Sequence, residues 1–268
     1  MQAQLNIALQ AGRKAAEFIH QNIDRLEQHQ IEQKGANDFV TLIDKKAEKI
    51  ITDTLLKAFP EHHILAEESG ALNTKSNSDF QWIIDPLDGT TNFIFGVPHF
   101  AVSIALLHKG RLEVGVVIDA AKRDEFTARR GGGATLNGRR IRVRNSQSLA
   151  NTLLATGIPF GNKVHDERTE HYFIDLKKLA SEAAGIRRMG AAALDLAYVA
   201  AGRFDGYWES GVQIWDVAAG ALLVQEAGGL VSDYHGGQQF LKSQNIVAGS
   251  PKVFKGILSC VGSSTSTC

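Results

Sequence analysis

Apolar and polar residues follow two patterns along this chain, and together these patterns predict its helices and strands. Apolar residues recur every three or four positions over 3–27, which is the period of an amphipathic helix. Further helices are predicted near 44–59, 165–184, 191–201, 216–227 and 253–261. Short apolar runs bounded by turn residues predict strands near 63–66, 82–84, 101–107, 114–119, 125–128, 149–156, 204–208, 231 and 246–248. Strands dominate up to about residue 145 and alternate with helices beyond it, so we predict two halves, 1–145 and 146–268.

The run WIIDPLDGTTNFIFGVPHF at 82–100 places two aspartates, Asp85 and Asp88, at the end of a predicted buried strand. A proline and a glycine then turn the chain. Gly89 and Thr90 offer backbone amides and a hydroxyl where a short helix begins, a place where an anion can bind. Carboxylate oxygens are hard ligands that suit Mg2+, and a phosphate held by the amides would be drawn to the same cation. The alternative is an ordinary strand-to-turn connection in which both aspartates only cap the chain.

Other carboxylates occupy positions from which they could reach the same site. Glu67 follows the predicted strand at 63–66, whereas its neighbour Glu68 is left as a structural residue because adjacent glutamates are usually solvated. Asp44 opens a predicted helix, so it serves either as a helix cap or in catalysis. Asp216 opens a nearly apolar and therefore buried helix, where it is either a cap or a metal ligand.

Charge and composition narrow the classes of function. The chain has 268 residues with 29 Lys plus Arg and 29 Asp plus Glu, so no overall basic field attracts nucleic acid. No apolar run approaches the roughly 18 residues of a membrane span, and the first residues lack an apolar signal core. We therefore expect a cytoplasmic protein. Cys260 and Cys268 lie late and close together, which excludes a disulfide framework.

Two further patterns are interpreted as structural. The glycines at 131–133 are followed by neither GKS nor GKT, so they predict a turn rather than a phosphate-binding loop. Arg140, Arg142 and Arg144 alternate along a predicted strand. This spacing favours a solvated sheet edge over a surface that grips a polyanion.

Three motifs stand in order along the chain: AEES at 66–69, DPLDGTTNF at 85–93 and WDVAAG at 215–220. With Glu209 and the EAGG sequence at 226–229, they make the chain resemble the inositol monophosphatase family, within the lithium-sensitive, Mg2+-dependent phosphatases. The resemblance spans almost the whole chain. It implies an α/β (α+β) fold, a five-layered α/β/α/β/α sandwich of the inositol monophosphatase and fructose-1,6-bisphosphatase type. It also implies a homodimer with two to three Mg2+ ions between the two halves of each chain.

The resemblance assigns metal binding to five residues. Glu67, Asp85 and the backbone carbonyl of Leu87 would hold one ion. A second ion would be held by Asp85, Asp88 and Asp216, and a weaker third by Glu67 and water. Two metals close together can neutralise the phosphoryl oxygens, deprotonate a water molecule and stabilise the leaving alkoxide.

The resemblance also implies roles in phosphate binding and catalysis. Gly89 and Thr90 would donate backbone hydrogen bonds to the phosphate. Thr90 and Asp44 would orient the attacking water, so the expected catalytic residues are Asp44, Glu67 and Thr90. Several metal ligands would also border the bound substrate, namely Glu67, Leu87, Asp88 and Asp216.

Substrate recognition is expected in the second half of the chain. Glu209 would accept hydrogen bonds from sugar-like hydroxyls, with the backbone of Ala192 beside it. Arg187 would contact either a substrate oxygen or a dimer partner. The reaction implied is the hydrolysis of inositol 1-phosphate to myo-inositol and phosphate.

Two alternatives stay open. A fructose-1,6-bisphosphatase or a broad sugar phosphatase would use the same chemistry, whereas no long insertion suggests a pocket for adenosine bisphosphate. Bacterial members of the family have been linked to antitermination of ribosomal RNA transcription, so the chain could instead bind transcription antitermination factors. Arginines expected at the surface motivate that alternative: Arg140, Arg142, Arg144, Arg187 and Arg188.

Overall fold

The computed structural model describes residues 1–23, 31–35, 38–73, 77–158 and 167–261. Within these ranges, no helix combines the length and the apolar character needed to cross a membrane. The predicted helical residues 24–27 and 165–166, together with Cys268, lie outside the described residues.

The helices and strands follow one another from the first described range to the last. The helices are α1 (Gln2–Gln21), α2 (Leu42–Ala58), α3 (Thr90–Ile94), α4 (Glu167–Glu182), α5 (Ala192–Ala200), α6 (Ile214–Glu226) and α7 (Pro251–Val261). The strands are β1 (Ile31–Gly35), β2 (Asp38–Thr41), β3 (His63–Ala66), β4 (Gly70–Leu72), β5 (Phe80–Asp88), β6 (Ala101–His108), β7 (Arg111–Asp119), β8 (Glu125–Arg129), β9 (Gly133–Leu136), β10 (Arg139–Arg140), β11 (Leu153–Thr156), β12 (Gly185–Arg187), β13 (Gly206–Ser210), β14 (Leu230–Ser232) and β15 (Asn245–Gly249).

The strands form one hairpin and two larger sheets. β1 pairs with β2 in the hairpin. The larger sheet has the order β10-β9-β8-β7-β6-β5-β3-β4 and is antiparallel except where β3 runs parallel to β5. The smaller sheet has the order β12-β11-β13-β15-β14, and its β11 runs parallel to both neighbours. The eight strands of the larger sheet lie before residue 145, and the five of the smaller sheet lie after it.

Three apolar cores alternate with the two large sheets and make five layers. α1 and α2 pack on one face of the eight-stranded sheet, and α5 and α6 fill the space between the two sheets. α4 and α7 cover the far face of the five-stranded sheet. This order is the five-layered α/β/α/β/α sandwich that the family resemblance implies, so that expectation is confirmed.

Alternation along single strands shows how each sheet serves two layers. Trp82 and Ile84 of β5 belong to the core with α1 and α2, whereas Ile83 belongs to the core with α5 and α6. Successive side chains on a strand point to opposite faces, so both faces of β5 are buried. Tyr207 and Trp208 of β13 divide between the central core and the outer core in the same way. A continuous apolar run such as that at 82–84 is therefore typical of a strand covered on both sides.

The central helices approach each other and the larger sheet closely. A Cβ on Gly220 of α6 would lie 2.5 Å from the Cβ of Leu196 on α5. A Cβ on Gly115 of β7 would lie 2.8 Å from the carbonyl oxygen of Ala219 on α6. Both values are shorter than packed carbon contacts allow, so glycine at these two positions sets the spacing of the middle layer.

Most predicted helices and strands are confirmed, although their first and last residues shift. Two further differences lie before or within the DPLDGTTNF motif. β1 and β2 occupy 31–41, a polar stretch for which no element is predicted, because the hairpin pairs through backbone bonds without an apolar run. β5 continues to Asp88 rather than ending at residue 84. Asp85 still pairs with Ser103 of β6 before the register shifts, so the strand extends into the motif.

The turn predicted for the glycines at 131–133 is confirmed, whereas the strand predicted for the three arginines is only partly correct. The N–H groups of Gly131 and Gly133 each donate to the carboxylate of Glu226 over 2.8 Å, so this run is a structural turn, as predicted. The strand predicted to carry three alternating arginines covers only Arg139–Arg140, at the exposed edge of the larger sheet. The strand assignment is therefore wrong for the arginines at 142 and 144, because pairing with β9 stops after two residues.

Candidate functional site

The end of β5 and the turn after it gather the aspartates of the DPLDGTTNF motif. Asp85 and Asp88 are both buried, with 2% and 9% of their surface exposed. The pairing of β5 with β6 shifts register between them, and Pro86 has no N–H to donate to a ladder. The Leu87 N–H donates to Asp85 Oδ1 over 2.9 Å, so the chain bends around this carboxylate.

Glu67 reaches the same place from the neighbouring strand. β3 runs parallel to β5 with Ala66 opposite Ile84, and the Glu67 N–H donates to the Ile84 carbonyl over 3.1 Å. Residues that follow parallel neighbours lie at the same edge of a sheet, which brings Glu67 beside Asp85. Burial raises the pKa of Asp85, and the charge of the nearby Glu67 raises it further.

Asp216 comes from the second half of the chain. It lies in the first turn of α6, where its Oδ2 accepts the Gln213 N–H over 2.7 Å as part of a capping box. Burial and the charge of Asp216 raise the pKa of Asp88 well above its usual range. The Ala193 N–H, in the first turn of α5, donates to Asp88 Oδ2 over 2.7 Å and opposes that rise. Asp216 is thus a helix cap whose charge also acts at the buried site.

The four carboxylates form a donor set that fits the predicted ion. Burial raises the pKa of Asp85 most, and the charges of Glu67, Asp88 and Asp216 raise it further. Repulsion of this kind is relieved by a proton or by a bound cation, and hard oxygen donors suit Mg2+. In the described part of the chain, no three His, Cys, Asp or Glu side chains already stand in a metal-binding arrangement.

Thr90 and Asp44 form a hydrogen-bonded pair linking α3 to α2. The Thr90 hydroxyl lies 3.0 Å from Asp44 Oδ1 and 3.0 Å from the carbonyl oxygen of Leu87. Asp44 is fully buried and lies two residues inside α2, which begins at Leu42. An N-cap side chain precedes the first helical residue, so Asp44 is not a simple N-cap. Its place in the first turn of α2 lets its charge interact favourably with the helix dipole, and its bond with Thr90 connects it to the site as well.

Gly89 joins β5 to α3 in a left-handed conformation, with φ of 90°. A Cβ at this position would lie 2.9 Å from the carbonyl oxygen of His99 and 3.2 Å from the Cβ of Ala191. The turn therefore packs directly against the residue that precedes α5. Glycine meets both demands because it has no side chain and tolerates positive φ.

A cavity of about 160 Å³ opens beside these aspartates. Its wall includes Asp88, Asp216, Ala192, Glu209, Arg188 and Gly157. Desolvation raises the pKa of Glu209 to about 7, although a hydrogen bond from Tyr207 lowers it. The structure thus brings two expected substrate residues, Ala192 and Glu209, to one cavity with two expected metal ligands.

Arg187 and Arg188 differ in their relation to this cavity. Arg187 ends β12, is exposed, and its Nη1 donates to the Ile186 carbonyl over 3.1 Å. Arg188 contributes to the wall, and its charge lowers the pKa of Glu209. The structure favours Arg188 over the expected Arg187 for contact with a ligand in the cavity.

Sequence reasoning missed two residues of the cavity wall, Gly157 and Arg188. Each directly follows the carboxyl end of a parallel strand, β11 or β12, where ligands bind in sheets of this kind. The predicted strand at 149–156 carried this signal for Gly157. No strand is predicted before Arg188, so nothing in the pattern distinguishes it from Arg187.

Comparison with known proteins identifies the family. Residues 1–264 match the family model described as inositol monophosphatase family. Nus factor SuhB from Pseudomonas aeruginosa is 54% identical over 262 residues, which cover 97% of this chain and 96% of that protein. The chain therefore belongs to the inositol monophosphatase family.

Solved structures show the same relationship. Extragenic suppressor protein suhB from Bartonella henselae superposes with a TM-score of 0.90 at 42% identity, covering 99% of this chain and 100% of that one. Inositol monophosphatase from Anabaena (Nostoc) sp. PCC 7120 superposes with a TM-score of 0.85 at 36% identity, covering 97% of this chain and 95% of that one.

Proposed function

We propose that this protein is a Mg2+-dependent phosphate monoester hydrolase that converts inositol 1-phosphate and water to myo-inositol and phosphate. The observation that carries the proposal is the convergence of Glu67, Asp85, Asp88 and Asp216 beside a cavity that also contains Glu209. Family membership supports the same reaction class. The active site would lie between the two halves, 1–145 and 146–268.

Two to three Mg2+ ions, when bound, would neutralise the phosphoryl oxygens and lower the pKa of the attacking water. Glu67, Asp85 and the Leu87 carbonyl would hold one ion. Asp85, Asp88 and Asp216 would hold the second. Of these donors, Asp85 already has one oxygen fixed by the Leu87 N–H, and Asp88 has one fixed by the Ala193 N–H.

The protein's own groups would orient the reactants. A hydroxyl that donates its proton to a carboxylate still has lone pairs that accept a hydrogen bond. The Thr90 hydroxyl, 3.0 Å from Asp44 Oδ1, would in this way accept a proton of the attacking water. Glu209, which lines the same cavity as Asp88, would accept a hydrogen bond from a hydroxyl of the inositol ring.

The direct test measures phosphate release from inositol 1-phosphate, fructose 1,6-bisphosphate and adenosine 3′,5′-bisphosphate. Each ester is tested with Mg2+, with EDTA, and with Mg2+ plus Li+. We expect fastest release from the inositol ester, with loss in EDTA and inhibition by Li+. Faster release from fructose 1,6-bisphosphate would support the sugar phosphatase instead. A folded protein that releases phosphate from none of them would contradict the proposal.

Asp85→Asn tests the metal site itself. Changes to groups behind metal ligands already cost roughly 10–100-fold in activity, so removing this central ligand is expected to cost more than about a hundredfold. The fold should persist because the amide removes a repelled, buried charge. Asp53→Asn is the control, since Asp53 forms an exposed ion pair with Lys49 on α2. Near-normal turnover by Asp85→Asn would rule out the assigned ligand set.

A second candidate function is favoured by the name of a relative. A relative at 54% identity is named Nus factor SuhB, so we also propose that this chain binds transcription antitermination factors in the cytoplasm. Tagged wild-type and Asp85→Asn proteins would be used to capture partners from host lysate. Equal capture of transcription factors by both would show a binding role that does not need the metal site. No such factor in either sample would count against it.

The family resemblance also leads us to propose a homodimer. Light scattering coupled to size-exclusion chromatography should give twice the chain mass of 29.1 kDa. A mass of one chain at micromolar concentration would contradict this.

A further inference from the structure

The carboxylate of Glu209 lies directly against the backbone at Gly157. Gly157 follows β11, and Glu209 belongs to β13, the parallel neighbour that pairs Trp208 with Thr156. A Cβ added to Gly157 would overlap both Oε1 and Cδ of Glu209. Gly157 is buried and its backbone is not left-handed, so space rather than conformation requires glycine here.

The second carboxylate oxygen of Glu209 is held by Tyr207. The Tyr207 hydroxyl donates to Glu209 Oε2, and the two residues share one face of β13 because they are two positions apart. Tyr207 is fully buried in the core between the two sheets, so packing fixes its ring. One oxygen of Glu209 therefore lies over the bare backbone of Gly157, and the other is tied to a rigid phenol.

A carboxylate fixed in this way selects for hydrogen-bond donors on the ligand. Glu209 shares its cavity with Asp88 and Asp216, so a phosphate held near the aspartates places the alcohol portion of an ester toward Glu209. Ring hydroxyls would donate to the carboxylate, whereas an ester without them would gain nothing from it. We infer that Gly157 and Tyr207 position Glu209 and thereby set the preference of the site for phosphate esters of cyclic polyols. The inference rests on the proposed phosphatase activity.

The test compares two esters that share the phosphate and differ in hydroxyls, inositol 1-phosphate and p-nitrophenyl phosphate. For Gly157→Ala, kcat/KM on the inositol ester should fall about 10–100-fold, mainly through a higher KM, because a hydrogen bond to a charged group is lost. For Tyr207→Phe the fall should be about 3–10-fold, since the carboxylate loses one of two constraints. Both variants should hydrolyse p-nitrophenyl phosphate within about threefold of wild type. Crystal structures of the variants should show the Glu209 carboxylate displaced.

Two matched controls make the same chemical changes elsewhere in the protein. One removes a tyrosine hydroxyl, and the other adds a methyl group to a glycine. Tyr198→Phe deletes a buried hydroxyl that lies 3.4 Å from the Asp119 carboxylate, away from the cavity wall. Gly185→Ala adds a Cβ whose nearest neighbour is the flexible Arg187 guanidinium at 3.2 Å. Both controls should leave the ratio of the two substrates unchanged.

The inference and the proposed function fail in different ways. If wild type hydrolyses both esters and Gly157→Ala loses activity on both equally, the inference is wrong and the phosphatase assignment stands. The same holds if Gly157→Ala still lowers kcat/KM tenfold in a Glu209→Ala background, because the substitution would then act without Glu209. If wild type hydrolyses neither ester, the proposed function fails and the inference falls with it.

Discussion

Gly89 holds a left-handed conformation in the turn after β5. Its φ of 90° and the 2.9 Å approach of a Cβ to the His99 carbonyl both oppose any side chain. We expect Gly89→Ala to lower the free energy of unfolding by about 2–4 kcal/mol, from a left-handed alanine and a steric overlap together. Urea denaturation measures the loss.

Gly110→Ala separates these two contributions to the loss. Gly110 has φ of 75° and open space around an added Cβ, so alanine there meets only the backbone penalty of about 1–2 kcal/mol. Equal losses at the two positions would show that the close approach of Gly89 to His99 and Ala191 contributes nothing.

Single residues differ in how well the sequence predicts their role. The place of Asp85 and Asp88 at the end of a buried strand was predictable because an apolar run leads directly into their motif. Gly157 acts by leaving space for Glu209, and its partner lies 52 residues further along the chain, so no local pattern shows it. Arg188 was missed for a smaller reason, since its position relative to Arg187 depends on where a three-residue strand ends.

At the level of elements, the start of α5 is tied to the turn that leads into β6. Asn92 Nδ2 donates to the His99 carbonyl over 2.7 Å, and His99 Nε2 lies 3.2 Å from Asp195 Oδ1 on α5. Both side chains of the His99–Asp195 pair are buried. These bonds hold the first turn of α5 against the first half of the chain. The same turn carries the Ala193 N–H, which donates to Asp88.

Removing one partner of this pair should loosen the start of α5. We expect His99→Ala to destabilise the protein by about 3 kcal/mol, because Asp195 is left buried without its hydrogen-bond partner. Asp195→Asn should cost less, since an amide oxygen still accepts the bond. Denaturant midpoints and phosphate release would be measured on both variants. An Asp195→Asn loss as large as that of His99→Ala would mean that charge, rather than the hydrogen bond, matters here.

Helices and strands were predictable where their burial gives the sequence an apolar pattern. β5, β6 and β7 are covered by helices and read as apolar runs. β1 and β2 pair in a polar hairpin, and β4 and β12 are three residues each, so neither length nor hydrophobicity reveals them. Strand order within the sheets also has no signature in periodicity, and the five-layered arrangement was implied only by the family resemblance.

At the scale of the whole molecule, the expected metal ligands come from both halves of the chain. A ligand that binds only the folded state stabilises it by about 2.7 kcal/mol at a hundred times its Kd. Saturating Mg2+ should therefore raise the Tm of wild type by several degrees. Asp85→Asn should show no such rise, and EDTA should reverse it in wild type. Differential scanning fluorimetry measures the effect without any substrate. Equal shifts in both proteins would indicate a general salt effect.

The position of α5 and α6 in the middle layer of the sandwich should determine which backbone amides exchange last with solvent. α5 and α6 are covered by a sheet on each side, whereas α1, α2, α4 and α7 each have one face toward solvent. Amide hydrogens exchange with solvent only when a segment opens, and segments with the most buried contacts open least. In deuterated water, the amides of α5 and α6 should therefore be the last to exchange. The carboxylate of Asp88, bonded to the start of α5, would then be anchored to the slowest part of the protein.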